Sequence, residues 1–304
     1  MTSKDDQELP SERLTDLPVI DAHTHVFPDE VRTDRQRFLD RDPWFGQAFG
    51  HPAARAASAE ELIASMDEAG ITRSIVCGWP WRDPAVCRAH SDYLADVGRS
   101  YPDRISWLGI VNPVDAGAAA EVARCATLGA VGIGELNADG QGFDWSEPHQ
   151  LSAFADACVH LDVPVLIHTS EPVGHLYPGK GQATTEKVLA FLAAFPDLRI
   201  VAAHWGGGLP FYELMPEVAR LTKNVVYDSA ASTYLYGFDV FPVVERLVGA
   251  DRILFGSDFP VLKQRRFLGR VLESGISPDV VGDVLSGNAS RVFRLAHGRT
   301  RDGK

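Results

Sequence analysis

The stretch Val19-Ile20-Asp21-Ala22-His23-Thr24-His25 decides how this chain is read. β-Branched residues lead into an aspartate, and two histidines follow one residue apart. On a strand, side chains at i and i+2 share a face, which sets the two imidazoles roughly 6–7 Å apart at Cα. A helix would turn them about 200° from one another around its axis. Only the strand lets both rings converge on one ion. A pair alone also occurs as packed, hydrogen-bonded histidines, so its meaning depends on what recurs downstream.

What recurs is an alternation of helices and strands. After a long polar segment, 26–57, which carries Trp44, Phe45 and Phe49, a helix over 58–69 precedes a strand over 73–79. Helices over 84–100 and 115–128 precede strands over 105–112 and 130–137. In the second half, helices over 148–161, 184–195, 210–222 and 240–249 precede strands over 164–170, 199–205, 224–230 and 252–258. Helices over 263–274 and 278–296 close the chain. The strands read SIVCGW, VLIH, IVAAH and ILFGSD. Short apolar runs without clean alternation are typical of parallel strands buried on both faces.

Eight such strands, each followed by a helix, predict an α/β fold of the (β/α)8 TIM barrel type. The competing doubly wound sheet lacks support, because no Gly-x-Gly-x-x-Gly follows the first strand. The expected organisation is a disordered lead-in over 1–16, one barrel domain over 17–297 and a tail over 298–304. The segment 26–57 would form a loop folded over the barrel mouth.

Composition bounds the partners. Of 304 residues, 45% are apolar and 23% charged, as in ordinary soluble domains, and the net charge of −12 argues against nucleic acid or an anionic membrane. No run approaches the ~20 apolar residues of a membrane span. The first 13 residues hold no apolar signal core. Cys77, Cys87, Cys125 and Cys158 form no CxxC pair and read as buried reduced thiols. The expectation is a cytoplasmic protein acting on a small molecule.

A barrel places functional groups at the C-terminal ends of its strands. Here the first strand ends at His23 and His25, the fourth at Glu135, the fifth at His168, the sixth at His204 and the eighth at Asp258. Imidazoles and carboxylates from separate strands can surround a divalent ion and leave one position open for water. No thiolate shares these positions, so zinc is the default and manganese, iron, cobalt and nickel are alternatives. Other readings exist residue by residue: Asp258 fits a helix cap, His204 a packing histidine, and Glu135 a partner for backbone or arginine. His51, His90, His149, His160 and His297 fall away from the mouth and read as surface or structural.

The motifs IDAHTH (20–25), VLIHTS (165–170), AAHWGGGLPF (202–211), LFGSDFP (254–260) and GNASRVFRL (287–295) resemble those of the amidohydrolase superfamily of metal-dependent barrel enzymes. They resemble in particular its amidohydrolase-related branch, with its lactonases and aminocarboxymuconate-semialdehyde decarboxylases. The resemblance implies that His23, His25 and His168 are metal ligands and that Asp258 is both ligand and proton shuttle. It implies that His204 orients the attacking water or binds a second metal. The superfamily's carboxylated lysine is absent from the fourth strand, and Glu135 occupies that neighbourhood, which leaves one or two ions open.

The implied function is a metal-dependent hydrolase in which activated water attacks the carbonyl of a lactone, ester or amide. The alternative is a metal-dependent, non-oxidative decarboxylase of a small carboxylic acid, and a third reading is a non-catalytic metal- or ligand-binding barrel. Trp79, Arg82, His175 and Tyr177 are candidate substrate contacts, with Lys180 nearby. Lys263, Arg265 and Arg266 are further candidate cations for a substrate carboxylate. Mouth aromatics, among them Trp44, Trp81, Trp205, Tyr234 and Tyr236, suggest a ring-containing substrate. Similar proteins are often homodimers.

Overall fold

The computed structural model describes residues 17–295, so the expected lead-in over 1–16, the tail over 298–304 and His297 lie outside the described residues. Eight parallel strands run in sequence order: β1 (Ile20–His25), β2 (Arg73–Cys77), β3 (Ile105–Gly109), β4 (Gly132–Leu136), β5 (Val165–Ile167), β6 (Ile200–Ala202), β7 (Val225–Asp228) and β8 (Ile253–Leu254). This is the (β/α)8 barrel. Most strands end earlier than the apolar runs suggested, because the chain leaves the ladder to enter the mouth while its side chains stay buried.

β8 is only two residues long, and the barrel closes beyond it. Ala22 N donates to Phe255 O (2.8 Å), Asp258 N to His23 O (2.9 Å) and His25 N to Phe259 O (2.7 Å). The seam is therefore made by the segments that carry the first and last candidate ligands.

β1 contains a bulge. Asp21 pairs with Ser74 but Thr24 with Val76, so three steps on β1 oppose two on β2. An extra residue reverses the in–out parity of a strand. Ile20 and Ala22 join the inner apolar cluster with Ile75, Leu108, Leu166, Val201, Val226 and Leu254. Past the bulge, His23 and His25 face inward instead of outward. The helix Asn288–Val292 packs on this inner cluster, and Val292 O accepts from Arg199 just before β6, at the end opposite the mouth.

The segment 26–57 is not a loop. It forms three short helices, Asp29–Thr33, Arg35–Arg41 and Pro43–Phe49. Asp42 caps the third through Phe45 N (2.8 Å), with Pro43 at its first position. Phe45 stacks on Phe49 with centroids 4.7 Å apart, and Phe27, Trp79 and Trp81 meet them at 5.0 to 6.0 Å. The expected helix over 210–222 is likewise two, Leu209–Tyr212 and Pro216–Leu221, and Pro216, which cannot continue a helix, opens the second.

His51, His149 and His160 are exposed, but His90 is buried. Its Nδ1 accepts from Trp81 Nε1 (3.0 Å) and its Nε2 faces Val26 O (2.9 Å), which assigns the neutral Nε2–H form. Burial lowers its pKa from 6.5 to about 4. The folded state thus binds fewer protons than the unfolded one between those values, so this stabilisation is complete above pH 6.5 and disappears as pH falls towards 4. Across that window the loss is on the order of 3 kcal/mol. Urea midpoints at about pH 7 and about pH 5 should fall further for the wild type than for His90→Gln. Equal falls would remove His90 as the cause.

Candidate metal centre

Six side chains meet at the mouth. His23 Nε2 lies 3.1 Å from His25 Nε2, and His168 Nδ1 lies 3.2 Å from His204 Nε2. Glu135, at the end of β4, reaches all four rings: His168 at 3.0 Å, His204 at 3.4 Å, and His23 and His25 at 3.7 Å each. Asp258 Oδ1 stands 3.5 Å from His25 Nε2 and 3.9 Å from His23 Nε2. All six candidates named from the strand ends thus converge in one cup. His23 is fully buried, and Asp258 keeps 9% of its surface.

Partners outside the cup set the tautomers. His23 Nδ1 is 2.8 Å from Asp228 Oδ2, and His204 Nδ1 is 3.2 Å from Ala230 O. Each outer nitrogen therefore carries the N–H, which turns Nε2 inward as a lone pair. His25 Nε2, 3.1 Å from the lone pair of His23, then donates a hydrogen to it or shares with it a positive charge placed between the rings. Burial disfavours charged imidazoles, yet Asp228, Cys77 and Glu135 outweigh it and hold His23 well above the usual histidine pKa. In the same way Cys77 and Asp258 override burial to bring His25 to about 10, and Glu135 brings His204 to about 9. Glu135 is itself pushed up by burial but held well below the usual range by His168 and His23. The cup demands cationic charge, which protons or a divalent metal ion can supply. Nitrogen and oxygen donors arranged with inward lone pairs fit the ion.

Three contributors were not anticipated. Asp228 is fully buried at the end of β7, and its Oδ1 also accepts from His204 N and Ala230 N (3.0 Å each). It positions two histidines at once. Its signal was present, since it ends the apolar run VVYD as the histidines end theirs. Cys77 corrects the expectation that no thiolate shares these positions. All four cysteines are buried and free, but Cys77 ends β2 with Sγ 3.7 Å from His25 Nδ1, donating to Thr24 O (3.2 Å). Burial raises its pKa, and His25 and His23 outweigh that to leave it lowered. Asp21, on the outer face of β1, accepts from Ser257 N (2.9 Å), Ser257 Oγ (2.5 Å) and Gln264 Nε2 (2.7 Å), lashing β1 to the residue before Asp258. Burial nevertheless pushes it up to about 6.

The backbone is strained at two of these positions. His204 and Trp205 both have φ of 57°, Gly206 to Gly208 continue at 61°, 61° and 89°, and Asp258 stands at 64°. Five successive residues thus form a left-handed turn, which side chains oppose and glycine permits. The turn aims His204 back into the cup. The motif AAHWGGGLPF shows the three glycines but not the hand of the turn.

Beside the cup lies a cavity of about 310 Å3, walled by loops that follow β5, β6 and β7. Tyr177, His175 and Lys180 line it, together with Glu171, Phe211 and Tyr236. The other candidate contacts are elsewhere. Trp79 packs in the aromatic cap with Phe45 and Phe49, and Arg82 is exposed with its guanidinium against Gly142. Trp44, Trp81 and Trp205 are buried in packing, and Trp205 Nε1 donates to Ser232 Oγ (2.7 Å). Among the described residues no helix is long and apolar enough to cross a membrane.

Among solved structures, 5-carboxyvanillate decarboxylase from Sphingomonas paucimobilis is 18% identical with a TM-score of 0.78, covering 92% of this chain and 100% of its own. The 5-carboxyvanillate decarboxylase from Novosphingobium aromaticivorans, solved with manganese and 4-hydroxy-3-methoxy-5-nitrobenzoic acid, is 20% identical (TM-score 0.73; 95% and 99% covered). A dihydroxybenzoic acid decarboxylase from Polaromonas, solved with manganese and 2-nitroresorcinol, is 21% identical (TM-score 0.72; 93% and 98% covered). At these identities the likeness is one of fold. A family model described as amidohydrolase matches residues 20–295, from the start of β1 to the last described residue. The chain belongs to the amidohydrolase family.

Proposed function

We propose that this chain is a divalent-metal-dependent, non-oxidative decarboxylase of a small aromatic carboxylic acid. The observation that carries the reading is the position of the buried donor cup beside a cavity whose lining includes Tyr177, Phe211, Tyr212 and Tyr236. The manganese-bound decarboxylases of the same fold support it. Hydrolysis of a carbonyl, the first expectation, would use the same donors and is the alternative outcome of the test below.

In this reading His23, His25, His168 and Asp258 would hold the ion, and Glu135, within reach of all four imidazoles, would add a further oxygen donor. Zinc was the default, but imidazole and carboxylate donors suit manganese equally. When bound, the ion supplies Lewis-acid charge that grips and polarises the substrate's oxygens. The expected cationic contacts Arg82, Lys263, Arg265 and Arg266 are exposed, so carboxylate binding falls to the cup. Asp228 keeps His23 Nε2 bare, and Ala230 O does the same for His204.

Decarboxylation breaks the bond from ring carbon to carboxylate, leaves the electron pair on carbon and releases carbon dioxide, and one proton must replace it. Asp258, on the rim of the cup, delivers that proton to the ring carbon and takes another from solvent. His204, fixed by the left-handed turn, orients the reacting group beside it.

Two measurements follow. Asp228→Asn keeps its shape but weakens the acceptor for His23, and should lower affinity for manganese or zinc about 10- to 100-fold in chelator competition. Unchanged affinity would separate Asp228 from the metal. Carboxyl-labelled hydroxybenzoates with the manganese-loaded protein should release labelled carbon dioxide, a release that chelation abolishes and metal restores. Asp258→Asn should cut it about 100-fold or more while keeping bound metal. Ester or lactone cleavage without carbon dioxide would replace this reading by hydrolysis, and activity indifferent to chelation would defeat both.

A further inference from the structure

The thiol of Cys77 borders the cup, yet neither the manganese site nor the decarboxylation uses it. Cys77 closes β2, and in the register of the sheet it stands directly across from His25. Like Ile75 two residues earlier, it belongs to the inner apolar cluster, so its side chain projects into the barrel rather than towards the helices. Its Sγ lies 3.7 Å from His25 Nδ1 and 3.9 Å from His25 Nε2, the nitrogen that faces His23 at 3.1 Å. One donor atom from each of His23, His25 and Cys77 falls within 4.8 Å of the other two. All three side chains are buried. The other cysteines are held elsewhere: Cys87 by Trp81 O, Cys125 beside Glu121, and Cys158 on the helix Ser152–His160.

Coordination chemistry gives these spacings a meaning. An imidazole nitrogen and a thiolate sulfur on one tetrahedral ion stand roughly 3.5 Å apart, given bonds of about 2.0 and 2.3 Å. Two imidazole nitrogens on the same ion stand roughly 3.3 Å apart. The sulfur at 3.9 Å and the second ring at 3.1 Å are close to that arrangement. His23 and His25 are thus shared between two kinds of donor. Asp258 approaches them at 3.9 and 3.5 Å and Glu135 at 3.7 Å each, and such oxygens suit manganese. Sulfur on the β2 side suits zinc and cadmium instead. The softness of the ion then decides which donors join the two imidazoles.

We infer that Cys77 is a conditional metal ligand, which with His23 and His25 gives the cup a second binding mode for thiophilic divalent ions that manganese does not use. The S–H now donates to Thr24 O (3.2 Å). On ligation that proton passes to solvent, the sulfur lends an electron pair to the ion, and no oxidation state changes. The inference rests on the cup being a metal site and is independent of the reaction carried out there.

The test is chelator competition on the full chain, with manganese and cadmium as separate probes, joined to ultraviolet difference spectra. Cadmium should give the wild type a thiolate-to-metal charge-transfer band that Cys77→Ser lacks. Cys77→Ser should weaken cadmium binding about 100-fold or more and leave manganese binding within about threefold. If that variant does not fold, Cys77→Ala serves the same comparison, and the wild-type band needs no variant. Equal losses for the two ions would make Cys77 a positioning residue for His25 and overturn the inference. Cadmium bound without the band, or bound as tightly after the substitution, would overturn it too. If neither ion binds the wild type, the metal reading of the cup fails as well. Manganese-dependent release of carbon dioxide without a cadmium band removes only the ligand role of Cys77.

Discussion

Four imidazoles and two carboxylates crowded into one water-poor cup cannot stand without positive charge at their centre. Burying such groups is tolerated only when charge and hydrogen bonds are matched. Much of the surrounding fold serves that match. The bulge in β1 turns His23 inward, Asp228 and Ala230 O fix which nitrogens face the centre, and Asp21 ties β1 to Ser257 beside Asp258. Because Asp258 N also donates to His23 O, the groups that hold charge are hydrogen-bonded across the seam that closes the barrel. Cup and barrel are one construction.

The aromatic residues divide into two populations with different duties. Phe27, Phe45, Phe49, Trp79 and Trp81 interlock to fasten the three short helices of 29–49 onto the loop after β2. Offset and edge-on ring pairs of this kind give geometry as well as burial. The rings that face the cavity, Tyr177, Phe211 and Tyr236, come from loops after β5, β6 and β7. One side of the mouth is therefore packed shut and the other is left with space.

How much of this was legible depended on periodicity. The barrel and its six strand-end residues could be read because apolar runs recur at regular spacing and a polar group breaks each at the same point. Asp228 and Cys77 close runs in the same way, yet a lone aspartate or cysteine carries less chemical signature than a histidine. The three helices of 29–49 were read as a loop, because each is about two turns or less and its buried face is supplied by distant residues. Glu171 had no local signal and Tyr236 was only one mouth aromatic among several, since the two meet through the placement of separate loops. The bulge was invisible for a simpler reason: i and i+2 share a face with or without it.

The left-handed turn at 204–208 divides the cavity walls by their freedom to vary. A Cβ at Gly207 would stand 2.6 Å from Ser170 O, and one at Gly206 2.8 Å from the Tyr227 ring, both backed by a φ that favours glycine. Across the cavity, Gly174 and Gly179 have nothing within 4 Å of the same position, although their φ of 89° and 91° also favours glycine. At the two glycines of the 171–180 wall backbone conformation alone opposes a side chain, whereas at Gly206 and Gly207 conformation and contact oppose it together. Free space for a longer side chain therefore lies on one side of the mouth, and the side that carries His204 of the donor cup has almost none at Gly206 and Gly207.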